Sequence, residues 1–398
     1  MKFLLFTIIL NTIIFCTEFD YFYKKKDTLN SIIDEYLLDG SIAGLQLAVI
    51  KSDSLLLNES FGYSDIIEEK LLNKNNIFRI YSMTKPIVSV GLMILWEKGY
   101  FKLEDYVYKY IPSFENMKLY DNQKLVKSKM KIRIIDLLRH TSGLGYGWSG
   151  NPLYDLEYNK VWTARTNKEF VELAKNLPLF FEPGENWRYG INTDICGYLI
   201  EVLTGESLNE FLLENIFKPL KMTDTHFKIS HDKIHRFTSN YSFDNNKQNL
   251  KLVDKYNDTK YFNVSFHSGG GGLISTMNDY INFSKMLLNK GTFQDKLLLN
   301  ETTIEMMTQN QIGDLYYPWG DGMKFGLGFS VVVDQESSLA NDTNGTFGWS
   351  GAAGTKFLVN PKHELIVIMM IQRMYPYPNI FDKLTDIIHD ILKINTKF

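Results

Sequence analysis

Strand patterns fall at the two ends of this 398-residue chain and helical patterns lie between them, and that distribution limits the fold more than any other feature. Residues 44–51 and 54–62 are rich in aliphatic side chains around a polar Ser52-Asp53 turn, which predicts two paired strands. Residues 328–333, 346–350, 356–359 and 365–371 have the same character. The reading is therefore α+β, an antiparallel sheet built from both chain ends. Terminal helices over 28–38 and 379–392 pack on it, and a mainly helical region, about 83–290, is inserted between the sheet-forming segments. Residues 241–257, rich in Asn, Asp and Lys, read as an exposed loop. A cleft between sheet and helical region is the natural place for a site.

Residues 3–15 follow Met1-Lys2 and are almost wholly apolar. Their length suits a signal-peptide core better than a spanning helix, which needs roughly 20 apolar residues. Residues 1–18 thus read as a signal peptide cleaved near 16–18, or as an uncleaved N-terminal anchor. The expected protein is exported (secreted, periplasmic or lumenal), with membrane contact only through this segment. Residues 27–395 then form a single domain. A net charge of −3 and no basic stripe argue against a nucleic-acid partner. The two cysteines, Cys16 and Cys196, give no disulfide framework, and Cys196 reads as a buried structural thiol on a helix over 192–203.

Ser82-Met83-Thr84-Lys85 ends an extended approach and opens a helix expected over 84–98. Pro86 lies in its first turn and Gly99 is placed to end it in the left-handed conformation. Serine and lysine three apart share one helical face. A lysine so placed can take the serine proton as the hydroxyl attacks a carbonyl. The alternative is that Ser82 is an N-cap.

Other segments bear on the choice. Residues 181–189 form a turn leading to Tyr189 just ahead of a helix, and 347–354 join two late strands through a glycine-rich turn. Residues 137–144 contain His140-Thr141-Ser142-Gly143, and 268–276 contain the run Gly269 to Gly272. The glycine run lacks the Lys-Ser/Thr of a phosphate loop. His231 and His235 have metal-like spacing but no glutamate between them, so a surface pair is the reading. Gly348 to Ala352 nearly matches a nucleophile elbow, but only a hairpin and a helix follow it to supply an acid and a histidine, Asp382 and His389. His140 reads as structural.

In order and spacing these segments resemble the serine β-lactamase-related family, the branch of class C β-lactamases, their esterase relatives and some penicillin-binding proteins, over about residues 29–392. The resemblance implies Ser82 as acylated nucleophile, Lys85 as its proton partner and Tyr189 as sharer of the acid/base work. It places Trp349-Ser350-Gly351 on the strand where lactamases carry Lys-Thr-Gly. It makes the N–H groups of Ser82 and Ala352 the oxyanion hole. No metal or cofactor is implied.

Two departures narrow the expected substrate. The lactamase Tyr-x-Asn is here Tyr189-Gly190-Ile191, with Asn192 one place late, so Ile191 cannot make the amide contact. Trp349 replaces the lysine that meets a substrate carboxylate, offering an apolar face and one N–H. Both favour an esterase or acyl transferase acting on a small-molecule ester or amide. The alternatives are a β-lactamase or D-amino-acid peptidase/carboxypeptidase, and a non-catalytic structural or filament-forming member.

Overall fold

The structure is a computed structural model that describes residues 2–122, 124–338, 342–375 and 378–394, with side chains from Asp20 onward except Leu153. Helix α1 (Lys2–Leu38) leads into strands β1 (Gly44–Lys51), β2 (Ser54–Asp65) and β3 (Lys70–Leu71). Ser52 and Asp53, both at positive φ, make the tight β1–β2 turn. Strands β4 (Met323–Phe325), β5 (Ser330–Val332), β6 (Phe347–Ser350), β7 (Lys356–Asn360) and β8 (Leu365–Met370) come from the other end of the chain. They join in one eight-stranded sheet of order β4-β5-β6-β7-β8-β1-β2-β3. Its seam is the antiparallel pair β1–β8, with Gln46 opposite Met370 and Val49 opposite Val367.

Period-two alternation divides β1 between two cores. Leu45, Leu47 and Val49 face one cluster with Leu29 and Ile33 of α1 and with Leu384 and Ile388 of α5 (Ile380–Ile391). Ala48 and Ile50 face the other cluster, shared with α2 (Thr84–Glu97), α3 (Asn192–Thr204) and α4 (Met277–Leu288). Burial of a side chain such as Val49 contributes about 1.5–3 kcal/mol, so a one-residue register slip would be costly on both faces.

Two expectations need correction. The first helix is one continuous element from Lys2 to Leu38, not a short helix starting at 28. Residues 2–38 contain neither Gly nor Pro, so nothing breaks it, and Phe22 joins Leu29, Ile33 and Tyr36 on its buried stripe. Residues 241–257 are mostly a hairpin, Asn240–Asp244 paired with Asn249–Asp254. The side chains of residues 1–19 lie outside the described residues, and of the leader expected over 1–18 only the helical backbone from Lys2 is described. No helix among the described residues is long and apolar enough to cross a membrane.

Candidate active site

Strand residues Ile77–Arg79 deliver the chain to a single tight turn, Tyr81–Met83, directly ahead of α2. Tyr81 holds φ 42°, a costly conformation for a bulky residue. Asn240 of the hairpin donates to the Tyr81 hydroxyl at 3.0 Å. Met83, not Ser82, is the N-cap residue of α2. The Ser82 hydroxyl instead lies 3.3 Å from Lys85 Nζ, one turn into the helix, so the N-cap alternative falls away. The helix ends as expected, at Glu97, with Gly99 at φ 77°.

Lys85 is 1 % exposed. Its Nζ donates to Gly270 O at 2.6 Å and to Tyr146 Oη at 2.8 Å. Those two acceptors and Ser82 Oγ use up the three tetrahedral positions of the amine. In the neutral amine, two hydrogens stay with Gly270 and Tyr146 and the lone pair faces Ser82 Oγ.

The glycines at 269, 270 and 272 serve close approach. A Cβ at 269 would lie 2.4 Å from Thr193 O, and one at 270 would lie 2.2 Å from Asp194 Oδ2. Asp194, in the first turn of α3, accepts from Ser268 Oγ at 2.5 Å and Gly270 N at 3.0 Å. It thereby fixes the carbonyl that orients Lys85. Burial raises the pKa of this carboxyl, and the Lys85 charge opposes the shift.

Tyr189 reaches the same point by a close crossing of two segments. A Cβ on Gly190 would lie 2.5 Å from Gly145 Cα, and Ile191 N donates to Gly145 O. The crossing sets the Tyr189 and Tyr146 rings edge to face at 5.3 Å. Lys85 Nζ lies 4.6 Å from the Tyr189 ring centroid. The lysine's hydrogen bond goes to Tyr146, a residue the sequence reading did not single out. Its only signal was its place between Gly145 and Gly147 after the Thr141-Ser142-Gly143 turn. Burial, then the neighbouring Tyr189, pushes the Tyr146 hydroxyl pKa well up. The Tyr189 hydroxyl is buried without a hydrogen-bond partner among the described residues.

Trp349 lies on β6 with ring centroids 5.4 Å from Tyr189, 5.4 Å from Trp319 and 5.1 Å from Phe325. Its indole N–H is buried and has no hydrogen-bond partner among the described residues. Tyr189 Oη and Trp349 Nε1 are thus two buried polar groups without a partner there, on rings 5.4 Å apart, and buried polar groups ordinarily find one. Gly351 lets the end of β6 abut the Tyr81–Met83 turn, since a Cβ there would lie 2.3 Å from Ile80 O. Ser350 precedes it and Ala352 follows in the same turn, its carbonyl accepting from Tyr375 N at 3.1 Å.

Ile191 is fully buried at the start of α3. The Asn192 side chain is engaged elsewhere: its amide donates to His140 Nδ1 at 2.8 Å and its oxygen accepts from Ser142. His140 is buried against Trp187, Tyr189 and Phe325, and burial, then the Lys85 charge, holds its pKa well below the usual range. Cys196 is buried, and burial pushes its thiol pKa up. His231 and His235 are exposed, and no cluster of metal-ligating side chains occurs among the described residues. Ser350 sits between antiparallel strands rather than on a strand–helix elbow. Asp382 and His389 are committed on α5 to Lys356 and Asp342.

The profile of the family described as Beta-lactamase matches residues 29–388. An uncharacterized protein of Mycobacterium tuberculosis is 29% identical over 360 residues, covering 87% of this chain and 88% of its own. A Salmonella typhimurium protein, provisionally named a D-alanyl-D-alanine carboxypeptidase, is 25% identical and covers 84% of this chain and 80% of its own. The solved structure of EstCE1, described as a hydrolase with promiscuous acyltransferase activity, superposes with a TM-score of 0.82 at 20% identity. It covers 94% of this chain and 99% of its own.

Proposed function

The chain belongs to the beta-lactamase family of serine hydrolases, and on that premise we propose that it is an esterase or acyl transferase working through an acyl-enzyme on Ser82. The observation that carries the reading is Lys85 Nζ, fixed by Gly270 O and Tyr146 Oη with its third position toward Ser82 Oγ. In the first half-reaction Ser82 Oγ bonds to the ester carbonyl carbon and its proton passes to Lys85. The tetrahedral oxyanion lies toward the N–H groups of Ser82 and Ala352. Collapse breaks the carbon–alkoxide bond, and the alkoxide leaves with the proton by way of Lys85 and the two tyrosines. Water or a second alcohol then attacks the acyl-serine by the same steps in reverse.

Support for a neutral substrate comes from Trp349 and from the commitment of Asn192 to His140 and Ser142. The carboxypeptidase reading draws on the Salmonella relative's name, and the same two positions weigh against it. Export belongs to the proposal too and rests on the apolar residues 3–15; N-terminal sequencing of the protein recovered from a cell fraction tests it.

The decisive experiment is intact-mass spectrometry after a fluorophosphonate probe. One adduct mapping to Ser82 is expected, and none with Ser82→Ala. Labelling that survives that substitution would sink the assignment. A kcat/KM higher on a chromogenic cephalosporin than on p-nitrophenyl esters would overturn the ester preference.

A further inference from the structure

Five of the chain's six tryptophans, Trp148, Trp162, Trp187, Trp319 and Trp349, belong to the aromatic network around Tyr146 and Tyr189. Trp148 stands apart in that network. It stacks on Tyr146 with centroids 5.0 Å apart and planes 23° apart, and Trp162 also stacks on Tyr146, at 5.9 Å and 23°. Tyr146, on which both indoles stack, carries the hydroxyl bonded to Lys85 Nζ. Trp148 nevertheless remains 76 % exposed.

The backbone works to keep it there. Trp148 holds φ 49°, between Gly147 at 79° and Gly150 at 71°. A left-handed conformation at so bulky a residue is strained and persists only where its surroundings over-determine it. The Asp155 carboxylate accepts from Ser149 N at 2.8 Å, Ser149 Oγ at 2.9 Å and Gly150 N at 3.1 Å. On the other side Arg188 donates to Gly147 O at 3.3 Å. A braced, strained loop thus presents a large apolar ring to solvent one ring away from the catalytic lysine.

We infer that Trp148 is a substrate-stacking residue whose free face takes a planar, uncharged aromatic or conjugated group of the ester. The inference rests on the reading of Ser82 as acylated nucleophile. Offset stacking favours flat rings over flexible chains of equal area. The subsite therefore selects by shape.

The test compares full-length wild type, Trp148→Ala and Trp148→Phe on four esters. These are vinyl acetate, vinyl octanoate, 2-naphthyl acetate with the rings on the alcohol side, and vinyl 2-naphthoate with the rings on the acyl side. Trp148→Ala is expected to lower kcat/KM about five- to tenfold on one naphthyl ester, through KM, with less than twofold change on the vinyl acetate and octanoate. Trp148→Phe should recover at least half of the loss. An equal fall on all four esters would make Trp148 a support for Tyr146 alone and overturn the subsite, as would less than twofold change on both naphthyl esters.

A binding arm separates this failure from failure of the acyl-enzyme reading. Tryptophan emission of Ser82→Ala, titrated with the preferred naphthyl ester, should change saturably. The apparent Kd should rise at least fivefold in the Ser82→Ala/Trp148→Ala double variant. If no ester is turned over by wild type, both naphthyl esters are titrated and this arm alone decides the subsite. A flat titration overturns it whatever Ser82 does.

Discussion

Tyr146 and Tyr189 meet edge to face over Lys85, and the two hydroxyls differ in what they hold. Tyr146 accepts from Nζ, whereas Tyr189 offers its ring to the charge, its hydroxyl having no hydrogen-bond partner within 3.5 Å among the described residues. If both move one proton with Lys85, Tyr146→Phe and Tyr189→Phe should each lower kcat on p-nitrophenyl acetate by about 10²-fold or more. The double variant should be little worse than either, because groups that act as a unit are not additive. Losses that multiply would assign the two hydroxyls to separate steps. Ser82 and Lys85 were legible in the sequence because a spacing of three is a local geometric statement. Trp349 and Tyr189 were legible through the resemblance of their motifs. Tyr146 and Asp194 were not, because each acts through a contact between segments remote in sequence: Tyr146 with Lys85, and Asp194 with Gly270.

At the scale of elements, the site depends on segments passing closer than side chains allow. Gly190→Ala would place a methyl group against Gly145 Cα and push the Tyr189 and Tyr146 supports apart. A displacement near 1 Å costs about 10²-fold in rate, so kcat should fall by that order while far-UV circular dichroism stays native. A variant with normal kcat would mean the crossing adjusts without moving the rings. The strands were readable because apolar runs and the Ser52-Asp53 turn are local signals, and β1 begins and ends where the pattern placed it. The hairpin 240–254 was hidden by its polar composition. Its second strand alternates exposed and half-buried from Asn249 to Val253 before ending on buried Asp254, a ribbon with little apolar surface to announce it. The run Gly269 to Gly272 was visible as glycines, but its purpose lies in Thr193, Asp194 and Phe227, which composition does not reveal.

For the whole molecule, two buried carboxyls shape stability against pH. Burial pushes Asp342 up to about 7 and Asp279 up to about 6, from an unfolded value near 3.9. In that window each of these two carboxyls binds more proton in the folded chain than in the unfolded one, so their contribution to stability falls as pH rises from about 4 to 7. Asp342→Asn removes its share, and should raise Tm by about 2–4 °C at pH 8, with the gain narrowing toward pH 4.5 in thermal melts. A constant difference across that range would mean that Asp342 does not titrate there, with His389 pairing its charge at 3.5 Å. The sheet seam carries a consequence in time. The edge of β1 that pairs with β8 is made early, and β8 ends some 300 residues later. At roughly 5–20 residues per second, a ribosome leaves that edge open for on the order of 15–60 s. A nascent chain of this protein must keep a strand of Leu, Val and Ile from pairing with its neighbours on the same message until its own last strand emerges. Any cell making it in quantity has reason to slow initiation or to shield the first hundred residues.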